Sequence, residues 1–160
     1  MHLTHSSVRS GLRTAAAPIR RRLLQPFGQS ALLTILNRTL TRQLKEGEFE
    51  FLIGRVLMVS ITDLEVRWPF TANATGDRIV KATGPADTTI HADSAALLLV
   101  AARRCDPDTL FFQRRLIVAG DTELGLQAKN LLDTLELDDL PAPCGRLLDQ
   151  AGRVAERCSS

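Results

Sequence analysis

Apolar residues recur along this chain first with the spacing of helices, then with that of strands, and then with that of helices again. In residues 1–28 the apolar positions follow a helical period that Pro18 interrupts. A cleaner helix is predicted from Ser30, which can cap it, to Gly47, where a glycine ends it. Its apolar face comprises Leu33, Ile35, Leu36, Leu40 and Leu44.

In the middle of the chain a period of two replaces the helical spacing and predicts short, half-buried strands. Phe49 and Phe51 alternate with glutamates, and the segment that ends at Trp68 alternates with charged residues. Pro69 has no backbone donor, which favours an edge or the end of a strand. The predicted strands cover residues 48–61, 64–68, 78–82, 88–91 and 113–119. Short strands joined by turns, such as the one at 73–77, predict a mainly antiparallel sheet.

Three helices are predicted in the second half of the chain, each opened by a capping residue. Asp93 or Ser94 caps residues 95–102, which are apolar on every face. Such a helix is either covered by another helix or lines an internal apolar cavity. Asp106 opens a short helix, and the turn at 120–122 opens a long one. The apolar stripe of the long helix consists of Leu124, Ala128, Leu131 and Leu135, with Leu126 on the opposite side.

Charge divides the chain into a basic front end and an acidic body. Residues 1–45 hold eight basic and no acidic side chains, whereas residues 46–160 hold twelve basic and eighteen acidic ones. A basic, amphipathic front end indicates contact with an anionic membrane surface, although a solvated extension or an organelle leader has the same composition. Nucleic acid is disfavoured, because the front end has no aromatic platform beyond Phe27. The predicted membrane-contact residues are Arg9, Arg13, Arg20, Arg21 and Arg22.

The sequence contains no pattern typical of catalysis or of phosphate, metal or dinucleotide binding. Asp106 and Asp108 are best explained as capping residues of a helix N-terminus. Arg114 and Arg115 are compatible with a clamp for phosphate or carboxylate, or with one solvated arginine and one surface ion pair. The three cysteines are widely spaced and form no CxxC pair, which favours a reducing compartment and no metal site. We therefore predict a protein without catalytic residues or a cofactor.

No part of the sequence predicts a membrane span. The longest apolar run, residues 95–102, gives about 12 Å of helix against the ~30 Å of a bilayer core. The expected location is cytoplasmic and peripheral to the membrane.

Four continuous segments carry a family resemblance: GEFEFLIGR, DLEVRW, AALLLVAARRCDPDTLFFQRR and GDTELGLQAKNLLD, which begin at residues 47, 63, 95 and 120. They resemble the sterol-carrier type of lipid-binding domain, and within it the UbiT family of accessory factors in oxygen-independent ubiquinone biosynthesis. The resemblance covers roughly residues 29–137. It implies a sterol-carrier-like domain at 29–137. Composition and apolar spacing add a basic amphipathic N-terminal segment at 1–28 and a C-terminal helix and tail at 138–160.

The resemblance implies an α+β domain in which helices cover a curved, mainly antiparallel five-stranded sheet and enclose an apolar tunnel. The implied ligand is a prenylquinone, a quinone precursor or a phospholipid, presented to the ubiquinone-biosynthesis proteins that hydroxylate the ring. We expect the lining to include Trp68, Leu98, Phe111, Phe112, Leu124, Leu131 and Leu132. The competing hypothesis is an interaction scaffold that has a filled core and no lipid cavity.

Overall fold

A five-stranded sheet lies at the centre of the computed structural model, which describes residues 24–134, 146 and 149–153. The strands are β1 (Leu57–Ile61), β2 (Val66–Ala72), β3 (Ile79–Lys81), β4 (Thr88–Ala92) and β5 (Leu116–Gly120), in the spatial order β3-β2-β1-β4-β5. All neighbours are antiparallel except β1 and β4, which are parallel. The predicted α+β class and the mainly antiparallel sheet are confirmed.

The register of the strands places one row of side chains across four of them. Val59 of β1 pairs with Trp68 of β2 and with Ile90 of β4, which in turn pairs with Val118 of β5. Because side chains alternate between the two faces of a sheet, this row lies on a single face. Every fully buried strand residue falls on that face, so the core lies on one side of the sheet.

Five α-helices lie between residues 29 and 134. They are α1 (Gln29–Thr39), α2 (Thr41–Lys45), α3 (Ser94–Ala101), α4 (Pro107–Phe112) and α5 (Thr122–Thr134). A π-helical turn at Leu24–Gly28 precedes α1, and a 3-10 turn at Glu50–Leu52 follows α2.

Three of the helices begin at an aspartate. The sequence predicts a cap at Asp93 and at Asp106, and Asp121 lies in the turn that is predicted to open the long helix. Asp93 accepts a hydrogen bond from the backbone N–H of Ala96 at 2.7 Å, and Asp106 accepts one from Thr109 at 2.9 Å. Asp121 accepts one from the backbone N–H of Leu124 at 3.0 Å. A carboxylate at this position satisfies an otherwise unpaired donor of the first turn and favours the positive end of the helix dipole.

Three local predictions were wrong. Ser30 does not cap α1: it lies inside the helix, and its hydroxyl donates to the carbonyl of Pro26 at 3.0 Å. Phe49 and Phe51 do not form a strand, because the chain makes a 3-10 turn there and the two rings stack with centroids 6.2 Å apart. Residues 113–115 form a turn rather than the start of β5.

Pro69 also departs from its prediction, since it lies inside β2, an interior strand. Its carbonyl accepts a hydrogen bond from the backbone N–H of Ala82 at 3.0 Å, just beyond the last residue of β3. The nitrogen and oxygen of one residue in an antiparallel strand point to the same side. The missing donor of Pro69 therefore faces the end of the short β3 and not β1, so the ladder between β1 and β2 is not interrupted.

The buried residues form three clusters on the inner face. The α1 cluster contains Leu40, Leu44, Phe49, Phe70 and Ile79, with Trp68 packed against it. The α3 cluster contains Ile90, Ala92, Ala96, Leu110, Leu116 and Ala128. The third cluster contains Leu52, Ala72 and Leu124. The apolar helix α3 thus packs with residues of α4 and α5, which agrees with coverage by other helices.

A short helical segment at residues 149–153 lies beside the loop that follows α3. Arg104 forms an ion pair with Asp149 at 2.8 Å, and a side chain added at Gly152 would lie 2.8 Å from the Cβ of Ala102. The predicted membrane-contact arginines, Arg9 to Arg22, lie outside the described residues.

Candidate functional site

Two side-chain amides fix α1 over strands β2 and β3. Gln29, at the start of the helix, donates to the carbonyl of Pro69 at 2.8 Å. Asn37 donates to the carbonyl of Ile79 and accepts from its backbone N–H, both at 2.8 Å. The helix therefore crosses from β2 to the short edge strand β3 with its leucines directed at the sheet. This arrangement encloses the α1 cluster.

Two polar side chains that adjoin members of the α1 cluster in the chain have buried atoms without a partner. Thr39 and Gln43 are each only 6% exposed, and they flank the buried Leu40 and Leu44. Within the described residues, neither the Thr39 hydroxyl nor the Gln43 Oε1 has a hydrogen-bond partner. An unsatisfied buried polar group costs about 1–3 kcal/mol, so two of them four residues apart in the chain require an explanation.

Trp68 contributes a third such atom at the opposite end of α1. Its indole Nε1 is buried, and no acceptor for it is found in the part of the chain that the structure describes. The ring lies against the backbone of Gly28, where an added Cβ would come within 2.6 Å of Cζ2. Gly28 has ordinary helical angles, so the absence of a side chain there makes room for the indole.

The residues predicted to line the tunnel lie in different environments. Trp68 packs against the α1 cluster, and Leu124 is buried with Leu52 and Ala72. Leu98 on α3 is half-buried. The backbone of Leu131 and Leu132 continues α5, but their side chains lie outside the described part.

Phe111 and Phe112 lie at the surface of α4, with 46% and 82% of each residue exposed. Their rings are in an edge-to-face arrangement with centroids 6.2 Å apart. Exposure of both rings is unlike the environment of a tunnel wall. Neither the tunnel nor its lining is tested by these positions, and both stay predictions.

The paired arginines after α4 have different surroundings. Arg115 forms an ion pair with Asp93 at 3.0 Å, whereas Arg114 is exposed and has a left-handed backbone with φ of 57°. The surface ion pair is thus the interpretation that the structure supports. Burial by itself raises the pKa of Asp93, but the hydrogen bonds from Arg115 and Ala96 outweigh it and lower the pKa overall.

The described residues contain no group of three or more His, Cys, Asp or Glu side chains placed to hold a metal ion. Among their helices, none has both the length and the apolar character required to cross a bilayer.

Residues 35–133 match the model of the SCP-2 sterol transfer family. The match covers more than half of the chain and includes the whole sheet, so the chain belongs to the SCP-2 sterol transfer family.

Relatives then place the chain more narrowly. It is 42% identical over 135 residues to the ubiquinone biosynthesis accessory factor UbiT of Escherichia coli K12, an alignment that covers 83% of this chain and 77% of the relative. The identity and coverage are the same for UbiT of Escherichia coli O157:H7. Within the SCP-2 family, this is a member of the UbiT family.

A solved structure agrees on the fold. The structure described as UbiJ-SCP2 ubiquinone synthesis protein superposes with a TM-score of 0.57 and 23% identity, covering 69% of this chain and 97% of that one. At this identity the likeness concerns the fold alone.

Thr39 and Gln43 were missed in the sequence because polar residues inside a helix are usually assigned to its solvent face. The spacing of the two residues along the sequence nevertheless indicates that they are buried. Thr39 follows Leu36 by three residues and Gln43 follows Leu40 by three, so both fall on the apolar stripe rather than opposite it.

Proposed function

We infer that this protein is a non-catalytic, lipid-binding accessory factor of ubiquinone biosynthesis. In this role it holds a prenylated quinone, a quinone precursor or a phospholipid in its apolar interior. It presents that ligand to the partner proteins that hydroxylate the ring without oxygen. The observation that carries the proposal is the 42% identity, over most of both chains, to a protein named as an accessory factor of this pathway.

The interior of the domain is suited to such a ligand. A polyprenyl tail gains about 25 cal/mol for each Å2 that is removed from water, so an interior built from leucine and phenylalanine supplies affinity without specific contacts. The clusters on the inner face of the sheet have this composition. Unpartnered polar atoms inside an apolar region are the groups that orient a ligand in a binding site.

The test is native mass spectrometry of the purified protein, followed by solvent extraction and identification of the released molecules. We expect a prenylated ring compound or a phospholipid at about one per chain. Protein that carries no lipid and takes up none from added prenylquinone would refute the lipid-binding proposal.

The basic front end is proposed to hold the domain at the membrane, where the ligand enters. Five arginines between Arg9 and Arg22 with no neighbouring acid favour an anionic lipid surface by about 1 kcal/mol each. Changing all five to glutamine should abolish sedimentation with phosphatidylglycerol vesicles and leave the circular dichroism spectrum unchanged. Undiminished sedimentation of the variant would contradict this part of the proposal.

The scaffold hypothesis is the second candidate, and one observation favours it. Phe112 is 82% exposed next to Phe111, and exposed aromatic rings of this kind are typical of protein interaction sites. If the protein is a scaffold, Phe112→Ser should abolish ubiquinone formation in anaerobic cells, whereas Leu126→Ser, at another exposed apolar residue, should not. A ligand-free protein that still supports ubiquinone formation would favour the scaffold over the lipid carrier.

A further inference from the structure

We propose that Thr39 and Gln43 bind a hydroxyl group of the ligand, which makes a neutral, hydroxyl-bearing prenylated ring the preferred class of ligand. This inference rests on the proposed lipid-binding function and adds the specificity of the site. Both side chains lie on the apolar stripe of α1 and α2, they are 94% buried, and their oxygen atoms have no partner among the described residues.

The two side chains are complementary to a hydroxyl group. Thr39 is the last residue of α1 and Gln43 lies in α2, and the two side chains flank the buried Leu40 and Leu44. The amide oxygen of Gln43 can only accept a hydrogen bond, and the hydroxyl of Thr39 can donate one. A single ligand hydroxyl between them would donate to Gln43 Oε1 and accept from Thr39, so that both buried atoms gain a partner.

The surroundings favour a neutral group over a phosphate. The buried members of the α1 cluster are leucine, isoleucine and phenylalanine, and none of them carries a positive charge. The basic residues of α1 and α2 (Arg38, Arg42 and Lys45) are all exposed. Burying a phosphate without a cation is costly, whereas burying a phenol costs little once its hydroxyl is hydrogen-bonded.

A second buried glutamine on α1 provides a matched control. Gln29 is 3% exposed and donates to the carbonyl of Pro69, whereas Gln43 is 6% exposed and its oxygen is unpartnered. Gln29→Leu should therefore lower the free energy of unfolding, because it removes a formed hydrogen bond and leaves a buried carbonyl with one partner fewer. Gln43→Leu should leave that free energy unchanged or raise it, because it removes a polar group that has no partner.

The experiment compares two ligands that differ in one hydroxyl: a short-chain prenylated phenol and its O-methyl ether. Binding is measured from the fluorescence of Trp68, the single tryptophan of the chain. The wild-type protein should bind the phenol about tenfold more tightly, since one buried hydrogen bond contributes about that factor. Gln43→Leu should reduce this preference to about onefold, while Gln29→Leu should retain it. Thr39→Val should weaken the binding of both compounds, because an ether oxygen still accepts a hydrogen bond from Thr39.

The outcomes separate this inference from the proposed function. Equal binding of phenol and ether by the wild-type protein, an undiminished preference in Gln43→Leu, or unweakened binding of both compounds by Thr39→Val would overturn the hydroxyl site and leave lipid binding standing. Tighter binding of a phosphatidic acid with matched chain length would overturn the assignment to a neutral ring. Binding of none of these compounds would refute the proposed function itself.

Discussion

The glycine at position 125 allows helix α5 to lie directly on the sheet. A Cβ built at Gly125 would lie 2.2 Å from Cγ1 of Val118 and 3.5 Å from Cγ2 of Thr88. Contacts between carbon atoms are most favourable at about 3.5–4.0 Å, so Gly125→Ala forces a movement of about 1 Å or more. Val118 is β-branched and stiff at χ1, so it cannot easily turn away.

The magnitude follows from two opposing effects. Overpacking of a core contact costs about 1–3 kcal/mol, while alanine in place of glycine stabilises a helix interior by about 1 kcal/mol. We therefore expect Gly125→Ala to lower the free energy of unfolding by about 1 kcal/mol. In the background of Val118→Ala, which removes the obstructing methyl group, the same substitution should raise it by about 1 kcal/mol.

Urea unfolding followed by circular dichroism measures all four members of this double-mutant cycle. The sign change corresponds to a coupling energy of about 2 kcal/mol, within the range found for residues in contact. If Gly125→Ala stabilised the wild-type protein as much as it stabilised the Val118→Ala protein, α5 would not lie against Val118 as described. Binding of a prenylated phenol by the single variants would show whether this contact affects the ligand-binding capacity proposed for the interior.

Three further predictions concern the core, the surface and the pH dependence. Gly28→Ala should shift the emission of Trp68, since an added Cβ would lie 2.6 Å from the indole; an unchanged spectrum would exclude that contact. Phe112→Ser should change the free energy of unfolding by at most about 0.5 kcal/mol, whereas Leu110→Ala on the same helix should lower it by about 2–5 kcal/mol in urea titrations. Asp93 has a lowered pKa in the folded protein, so its contribution is present above the unfolded pKa of about 3.9 and is lost as the pH falls through the folded value. Asp93→Asn should therefore flatten the loss of stability below about pH 5, and an equally steep loss would contradict the ion pair.

The sequence was sufficient to predict the structure wherever a local rule determines it. Asp93 and Asp106 cap their helices because a short carboxylate next to a free backbone N–H gives a favourable hydrogen bond in any context. Strand pairing could not be predicted in the same way, because the period of two says which face a residue occupies but not which strand lies beside it. The parallel pairing of β1 with β4 is therefore known only from the structure.

The candidate site was less accessible to sequence reasoning than the fold. Trp68 was expected on a half-buried strand because it alternates with charged residues, and it packs against the α1 cluster. Phe111 and Phe112 are exposed on a short surface helix, and their place in the lining stays a prediction. Thr39 and Gln43 are recognised as candidate site residues by their burial and their missing hydrogen-bond partners, and both are properties of the packed structure.

The parallel pairing of β1 with β4 has a consequence for the order in which the chain folds. Strands β1, β2 and β3 are consecutive antiparallel neighbours, so they can pair through short turns. The β1–β4 ladder requires residues 62–87 to be in place first, and such non-local pairing is slow. Strands β4 and β5, which are separated by α3 and α4, would then join a preformed three-stranded unit. Because α1 contacts β2 and β3, the proposed hydroxyl site lies within the part of the domain that we expect to fold first.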